Sequence, residues 1–456
     1  MRAITLAKRA VLDEDAGTVS TVLPRLRTLA PLLLICAACD DDAPDDEPFT
    51  GTGGTLEIAG CGYSVTTRLG AEPPRVATST VGADPTPRHV HLGFIGDPRT
   101  SMVVQWRTRD ETTRATVIRY AAGADLPADG LTEQTTGVQF GFKATGSEIY
   151  RVHQAHLCGL QPGTAYSYQV GSDGAFSPVY TFRTAPDVTA SPDAEVVLGF
   201  VGDTRDGYDV WQQLVGQLQQ RSPDLILFSG DAVTIGITQF EWEEFFDRGE
   251  PLFARVPVLS AHGNHEVNSV NFYAQFAMPG DQENFSFDYG HAHITVANDS
   301  PEDLGTIMGS TRDFLAADLE ASKTARWRML MHHRAMWSSS TVHGSNLQLQ
   351  QAWMPLIDQH RIDLVLNGHD HLYEISKPMR AGAVQPSNAD GTVYVVNGGA
   401  GAELYEPGTS FHQAYTEKAH SAALVRVTQN MLTLDPFRPD GTAITAPEAK
   451  FSKSKP

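Results

Sequence analysis

Leu364-Val365-Leu366-Asn367-Gly368-His369-Asp370-His371 is a short apolar run that stops at a glycine and continues as imidazole, carboxylate and imidazole. Four earlier places repeat the arrangement. Val196 to Val201 ends in Gly202-Asp203, Leu225 to Ser229 in Gly230-Asp231, Val256 to Ser260 in Gly263-Asn264-His265-Glu266, and Met329 to Met331 in His332-His333. Runs of this kind, with Val393 to Val396 as another, read as buried strands. The segments between them, Trp211 to Gln220, Phe240 to Phe246, Thr311 to Ala321 and Leu347 to Gln359, carry apolar residues at helical period. Strand and helix in alternation predict an α/β layout, where ligands bind beyond the carboxyl ends of the strands. Five polar endings therefore converge on one edge.

The residue types at those endings decide the chemistry. Carboxylate, amide and imidazole suit zinc, manganese or iron, and no cluster of thiolates points to a structural zinc site. Glycine before the polar group lets the chain turn sharply and lets an ion or phosphate approach the backbone. One aspartate after a strand is commonly a helix cap, and one histidine commonly a structural residue. The joint occurrence of all five, in order, carries the reading of a metal site.

Before Pro186 the texture differs. Ser101 to Arg107, Thr116 to Tyr120, Ala155 to Leu160, Ala165 to Val170 and Val179 to Arg183 alternate or run apolar without helical period, and Gln161-Pro162-Gly163 marks a turn. About a hundred residues of short strands predict a β-sandwich. The run Ser101 to Trp106 and the stretch Leu160-Gln161-Pro162-Gly163-Thr164-Ala165-Tyr166-Ser167-Tyr168 resemble a fibronectin type III-like sandwich, specifically the N-terminal domain of purple acid phosphatases. The later endings resemble the calcineurin-like metallophosphoesterases, and Gly368-His369-Asp370-His371-Leu372-Tyr373-Glu374 is similar to purple acid phosphatases in particular. The expected architecture is an all-β fibronectin-like sandwich at 88–186 followed by an α/β metallophosphoesterase domain at 195–435, with a C-terminal tail at 436–456.

The resemblance implies a pair of metal ions (iron, zinc or manganese) and assigns their ligands. Asp231 would bridge, Asp203 and His371 would hold the first ion, and Asn264, His332 and His369 the second. His265 would stand outside the coordination shell as general acid. His343 would bind phosphate, whereas His333 and His262 are read as supporting residues. Two departures concern the first ion. Thr234 stands where purple acid phosphatases have tyrosine, so the colour of a tyrosinate-iron pair is not expected, and Arg205 stands where many relatives have histidine. Arg205 is read equally as a phosphate contact or a surface salt bridge.

Such a centre can polarise a phosphoryl oxygen and lower the pKa of a water, which implies hydrolysis of a phosphorylated small molecule, a monoester foremost. A non-catalytic surface or phosphate-binding protein with a degenerate metal site is the alternative. With 54 acidic against 34 basic residues and a formal net charge of −20, dedicated nucleic-acid binding, which relies on clustered Lys and Arg, is not expected.

The N-terminus reads as an export signal. Arg25 and Arg27 precede the apolar Leu29 to Ala38, which is too short for a confident membrane span. Ala37-Ala38-Cys39 resembles a bacterial lipobox, with Cys36 where leucine is usual. Residues 1–39 are therefore expected to be a leader that leaves a lipid anchor on Cys39, placing the protein at the cell envelope or outside the cell. Within 40–87, Asp40 to Gly54 has almost no apolar residues and reads as a tether. With Cys39 acylated, Cys61 and Cys158 are a candidate disulfide in an oxidising compartment.

Overall fold

The computed structural model describes residues 55–66, 71–72, 83–110, 115–143, 149–172, 174–300 and 304–456. The expected leader, Cys39 and the tether lie outside them. The strands Val196–Val201, Leu225–Phe228 and Val258–Ser260 pair in parallel. Parallel neighbours need a long crossover, and helices Tyr208–Arg221 and Gln239–Phe253 supply it. On the far side of Val196–Val201 the antiparallel strands Ala422–Val427, Met431–Phe437 and Phe451–Ser454 complete a six-stranded sheet.

Residues 436–456 are thus no loose tail. Phe451 is buried in the core, and Lys453 and Lys455 each place Nζ 2.8 Å from the buried Asp363 carboxylate. An inward-facing lysine satisfied by a distant aspartate makes the strand read as polar, which hid it.

The second sheet has seven strands, ordered Phe285–Tyr289, Ala292–Val296, Trp327–Met331, Leu364–Asn367, Val393–Asn397, Tyr373–Ser376 and Gln413–Glu417. Its central strands Trp327–Met331, Leu364–Asn367 and Val393–Asn397 are largely apolar on both faces because both are covered. Met329, Met331, Leu364 and Leu366 face the first sheet in one core, while Leu330 and Val365 face Leu315, Leu349 and Trp353 of the outer helices in another. Two packed sheets bring both sets of parallel strand ends to one edge.

In the N-terminal part, Val138–Lys143, Ile149–Cys158, Ser101–Arg109 and Asp84–Gly93 form one sheet with the short Ala71–Glu72. Val117–Ala122 and Ala165–Ser172 lead the other. Trp106, Val104, Leu157, Tyr168 and Phe182 fill the space between, as the alternation predicts. Cys61 and Cys158, 97 residues apart in sequence, are joined by a disulfide that fastens the hairpin of Thr55–Ile58 and Tyr63–Thr66 to this sandwich. Among the described residues no helix is long and apolar enough to cross a membrane.

The sandwich grips one helix of the α/β part. Glu243 of Gln239–Phe253 takes Arg107 and Arg109, Asp247 takes Arg88 and His89 at 2.8 and 3.0 Å, and Glu250 accepts the Tyr180 hydroxyl at 2.9 Å. The same helix holds the loop after Asp231, because Glu241 accepts the Thr234 N–H. Sandwich position and site geometry are therefore mechanically connected.

A half-buried carboxylate ties helix Ser310–Ala321 to the sheet. Asp318 accepts from Ser286 Oγ, Thr295 Oγ1 and His293 Nε2 at 2.5, 2.6 and 3.2 Å. Burial alone would lower the His293 pKa, but Asp288 and Asp318 outweigh it and push it up to about 9. Since the folded value exceeds the ordinary 6.5, this contribution is full below about pH 6.5 and is lost as pH rises through about 9. Chemical denaturation across that window should show wild type losing stability that His293→Gln does not lose. Parallel pH curves for the two proteins would contradict it.

Candidate metal centre

Each expected ligand follows a strand, and three adopt a backbone conformation that side chains usually avoid. Asp203, Asp231 and His369 have φ of 61°, 57° and 69°. Left-handed non-glycine residues cost free energy and gather where geometry is imposed by function. The surrounding hydrogen bonds impose it here. Asp203 N–H donates to the Gly230 carbonyl at 2.9 Å, Thr204 N–H to that of Asp231 at 3.1 Å, and His369 N–H to both Asp203 carboxylate oxygens at 2.9 and 3.1 Å.

Asp231 is the hub. Its Oδ1 accepts the His265 N–H at 3.0 Å and lies 3.2 Å from His333 Nε2, whereas its buried Oδ2 has no hydrogen-bond partner. Glu266, wholly buried, accepts N–H groups of Asp231 and Gly263 at 2.9 and 2.7 Å on one oxygen and of Ala232 at 2.8 Å on the other. Burial and the neighbouring Asp231 push Glu266 up to about 7. A Cβ at position 263 would lie 2.2 Å from Asp231 Oδ1, so only glycine leaves room for this bracket.

The adjacent histidines are placed opposite to the expectation. His332 points away from the hub: Nδ1 donates to Asp299 Oδ2 at 2.8 Å and the ring meets Trp353 edge-on. His333 turns inward, with Nδ1 donating to the Ser229 carbonyl at 2.8 Å and Nε2 lying 3.1 Å from Asn264 Oδ1 and 3.2 Å from His369 Nδ1. Neighbouring residues at a strand end face opposite sides, so only one of the two can join the cluster. Asp231, His333 and His369 bring ligand atoms within 4.8 Å of one another, with Asn264 beside them. An oxygen, an amide and two imidazoles at this spacing suit a divalent ion.

The electrostatics ask for a cation. Burial would depress the His333 imidazole, but Asp231, Asp203 and Asp299 push it up to about 10; without a metal the imidazolium supplies the positive charge that a bound ion would supply in its place. Asp231 is held low: burial opposes its charge, and His333 and His265 overcome the opposition. Asp203, buried beside Asp231, is driven well above the usual carboxylate range.

The residues expected around a first ion are arranged differently. His371 Nδ1 donates to the Glu403 carbonyl at 2.7 Å, and its Nε2 lies 3.7 Å from Asp203 Oδ1 and 3.2 Å from Arg205 Nη2. Arg205 Nε stands 3.7 Å from Asp231 Oδ2. The guanidinium is therefore in the site and not in a surface salt bridge. Thr234 directs its hydroxyl outward to Asp206 Oδ1 at 2.9 Å.

His265 Nδ1 donates to the Thr234 carbonyl at 2.5 Å, which leaves Nε2 facing the centre 3.8 Å from Asp231 Oδ2. His343 is exposed, stacks on His369 at 4.2 Å between ring centroids, and lines with it and Arg334 a cavity of about 400 Å³. Glu374 keeps that loop in place by accepting from the Ser339 N–H and hydroxyl at 2.9 and 2.5 Å. His262 lies outside the cluster, its ring against Phe272 and Tyr273. Sequence reading passed over Tyr405, which stacks on His371 at 4.1 Å. It sits in a loop of no strand or helical period, and only the contact identifies it.

Fold and site together define a calcineurin-like metallophosphoesterase, a hydrolase acting on phosphoric ester bonds. Residues 87–184 match the purple acid phosphatase N-terminal domain and residues 196–373 the calcineurin-like phosphoesterase family. The chain is 30% identical over 354 residues to acid phosphatase type 7 of Homo sapiens, covering 70% of this chain and 78% of that protein. It is 25% identical over 358 residues to purple acid phosphatase 22 of Arabidopsis thaliana, covering 73% and 76%. Its fold is that of a purple acid phosphatase from yellow lupin (Lupinus luteus) seeds, with a TM-score of 0.70 at 17% identity over 81% of this chain and 74% of that one. The chain belongs to the purple acid phosphatase family, and that membership implies divalent metal ions at this edge.

The inward turn of His333 yields a discriminating experiment. After loading with manganese or zinc and dialysis, His333→Ala should lose its bound metal, while His332→Ala keeps it and is destabilised by about 1–3 kcal/mol through the loss of a buried partner of Asp299. Metal loss confined to His332→Ala would return the ligand role to His332.

Proposed function

We propose that the chain is an exported phosphomonoesterase, anchored through Cys39, that hydrolyses small phosphorylated molecules at the edge formed by Asp231, Asn264, His333 and His369. The observation that carries the reading is the buried Asp231 Oδ2 without a hydrogen-bond partner amid convergent oxygen and imidazole donors. A buried carboxylate oxygen without a hydrogen bond is costly unless a cation meets it. A divalent ion held there supplies Lewis acidity toward a phosphoryl oxygen and an attacking water.

The protein's own groups do the rest. His265 is fixed by the Thr234 carbonyl as a donor at Nδ1, which leaves Nε2 to carry a proton to the departing alkoxide. His343, exposed above His369, is placed to donate to a phosphate oxygen in the 400 Å³ cavity. That open cavity, lined by Arg334, Ser345, Asn346 and Gln348, suits a polar monoester with a small leaving group.

Two assays test the reading. Asp231→Ala and Asn264→Ala should abolish metal-dependent hydrolysis of an aryl phosphate while the circular dichroism spectrum is preserved; turnover retained in both sinks the mechanism. His265→Ala should lower kcat for an alkyl phosphate by roughly 100-fold or more with little change for a nitrophenyl ester, whose leaving group needs no proton. Equal losses on both esters would remove His265 from the general-acid role.

A further inference from the structure

Family membership makes two ions the ordinary expectation, but the residues on the Asp203 side do not fit a second one. His371 donates from Nδ1 to the Glu403 carbonyl at 2.7 Å, so the lone pair available for a metal is on Nε2. Arg205 Nη2 lies 3.2 Å from that atom. A guanidinium has only donors, so the contact uses the lone pair an ion would need. Arg205 Nε lies 3.7 Å from Asp231 Oδ2, the carboxylate oxygen that would bridge to the same ion. Both Asp203 oxygens accept the His369 N–H. The tyrosine ligand of the family is replaced by Thr234, whose hydroxyl is turned to Asp206.

Arg205 is also well held. Its side chain is 17% exposed, and Tyr405, stacked on His371 at 4.1 Å, offers its hydroxyl to the same guanidinium. A fixed planar cation beside a metal is suited to bidentate binding of a phosphate. It places positive charge where the first ion would stand, without a metal.

We propose that this chain holds a single metal ion, among Asp231, Asn264, His333 and His369, and that Arg205 takes the place of the second ion and binds the substrate phosphate there. The proposal rests on the phosphoesterase reading of the same site. It departs from that reading in metal content, which is measured independently of turnover.

The test is elemental analysis of the folded protein after saturation with manganese or zinc and removal of unbound metal. Wild type should retain about one equivalent and His333→Ala close to none, as expected when a ligand is removed. The pair Arg205→Gly and Thr234→Tyr should raise the content toward about two equivalents, because a vacated pocket with a restored ligand fits an ion. Inorganic phosphate, followed by calorimetry on the one-ion protein, should bind Arg205→Ala roughly 10-fold or more weakly, with Arg205→Lys in between, as for loss of a charge-assisted bidentate contact.

Two equivalents in wild type overturn the proposal and leave the phosphoesterase reading intact. One equivalent in wild type with phosphate affinity unchanged in Arg205→Ala overturns the part given to Arg205. No retained metal and no hydrolysis in wild type defeats the phosphoesterase reading itself.

Discussion

The Asp231 carboxylate is taken out of water at the end of a central strand, and the surrounding structure is arranged to keep it charged. One of its oxygens receives the His265 N–H and faces His333 Nε2. The other is buried and faces Arg205 and His265 at 3.7 and 3.8 Å. Glu266 fixes the backbone beneath it, and Gly263 gives way to it. A charge so placed is tolerable only with cations nearby, and this edge can supply Arg205 together with a metal ion, or with the His333 imidazolium when no metal is bound.

The scaffold explains how that arrangement persists. Left-handed φ values at Asp203, Asp231 and His369 are costly singly, yet each is locked by hydrogen bonds to a neighbouring strand end. Two packed sheets with apolar inner faces make the strand ends rigid. The sandwich adds a clamp on helix Gln239–Phe253, whose Glu241 holds the Thr234 loop and, through the Thr234 carbonyl, the His265 ring.

Much of this was legible in the sequence because strand ends and glycines announce themselves. Asp203, Asp231, Asn264, His369 and His371 lie at the strand-end edge where apolar runs ending in polar residues pointed. The choice between His332 and His333 was not legible, since parity at a strand end depends on where the pleat stops, and one residue reverses the facing side. Arg205 was legible only as an even choice between phosphate contact and surface salt bridge, because whether an arginine folds inward is settled by its neighbours, here His371, Asp231 and Tyr405, which come from three separate loops. The C-terminal strand was obscured by Lys453, whose inward position makes sense only beside Asp363.

Where positive charge stands around Asp231 decides how many ions this edge holds. Anomalous diffraction from crystals of the manganese- or zinc-loaded protein, collected at the absorption edge of that metal, locates it directly. One peak is expected, within bonding distance of Asp231, Asn264, His333 and His369, with the Arg205 guanidinium against His371. A second peak of similar height between Asp203 and His371, or a peak bonded to His332, would contradict it.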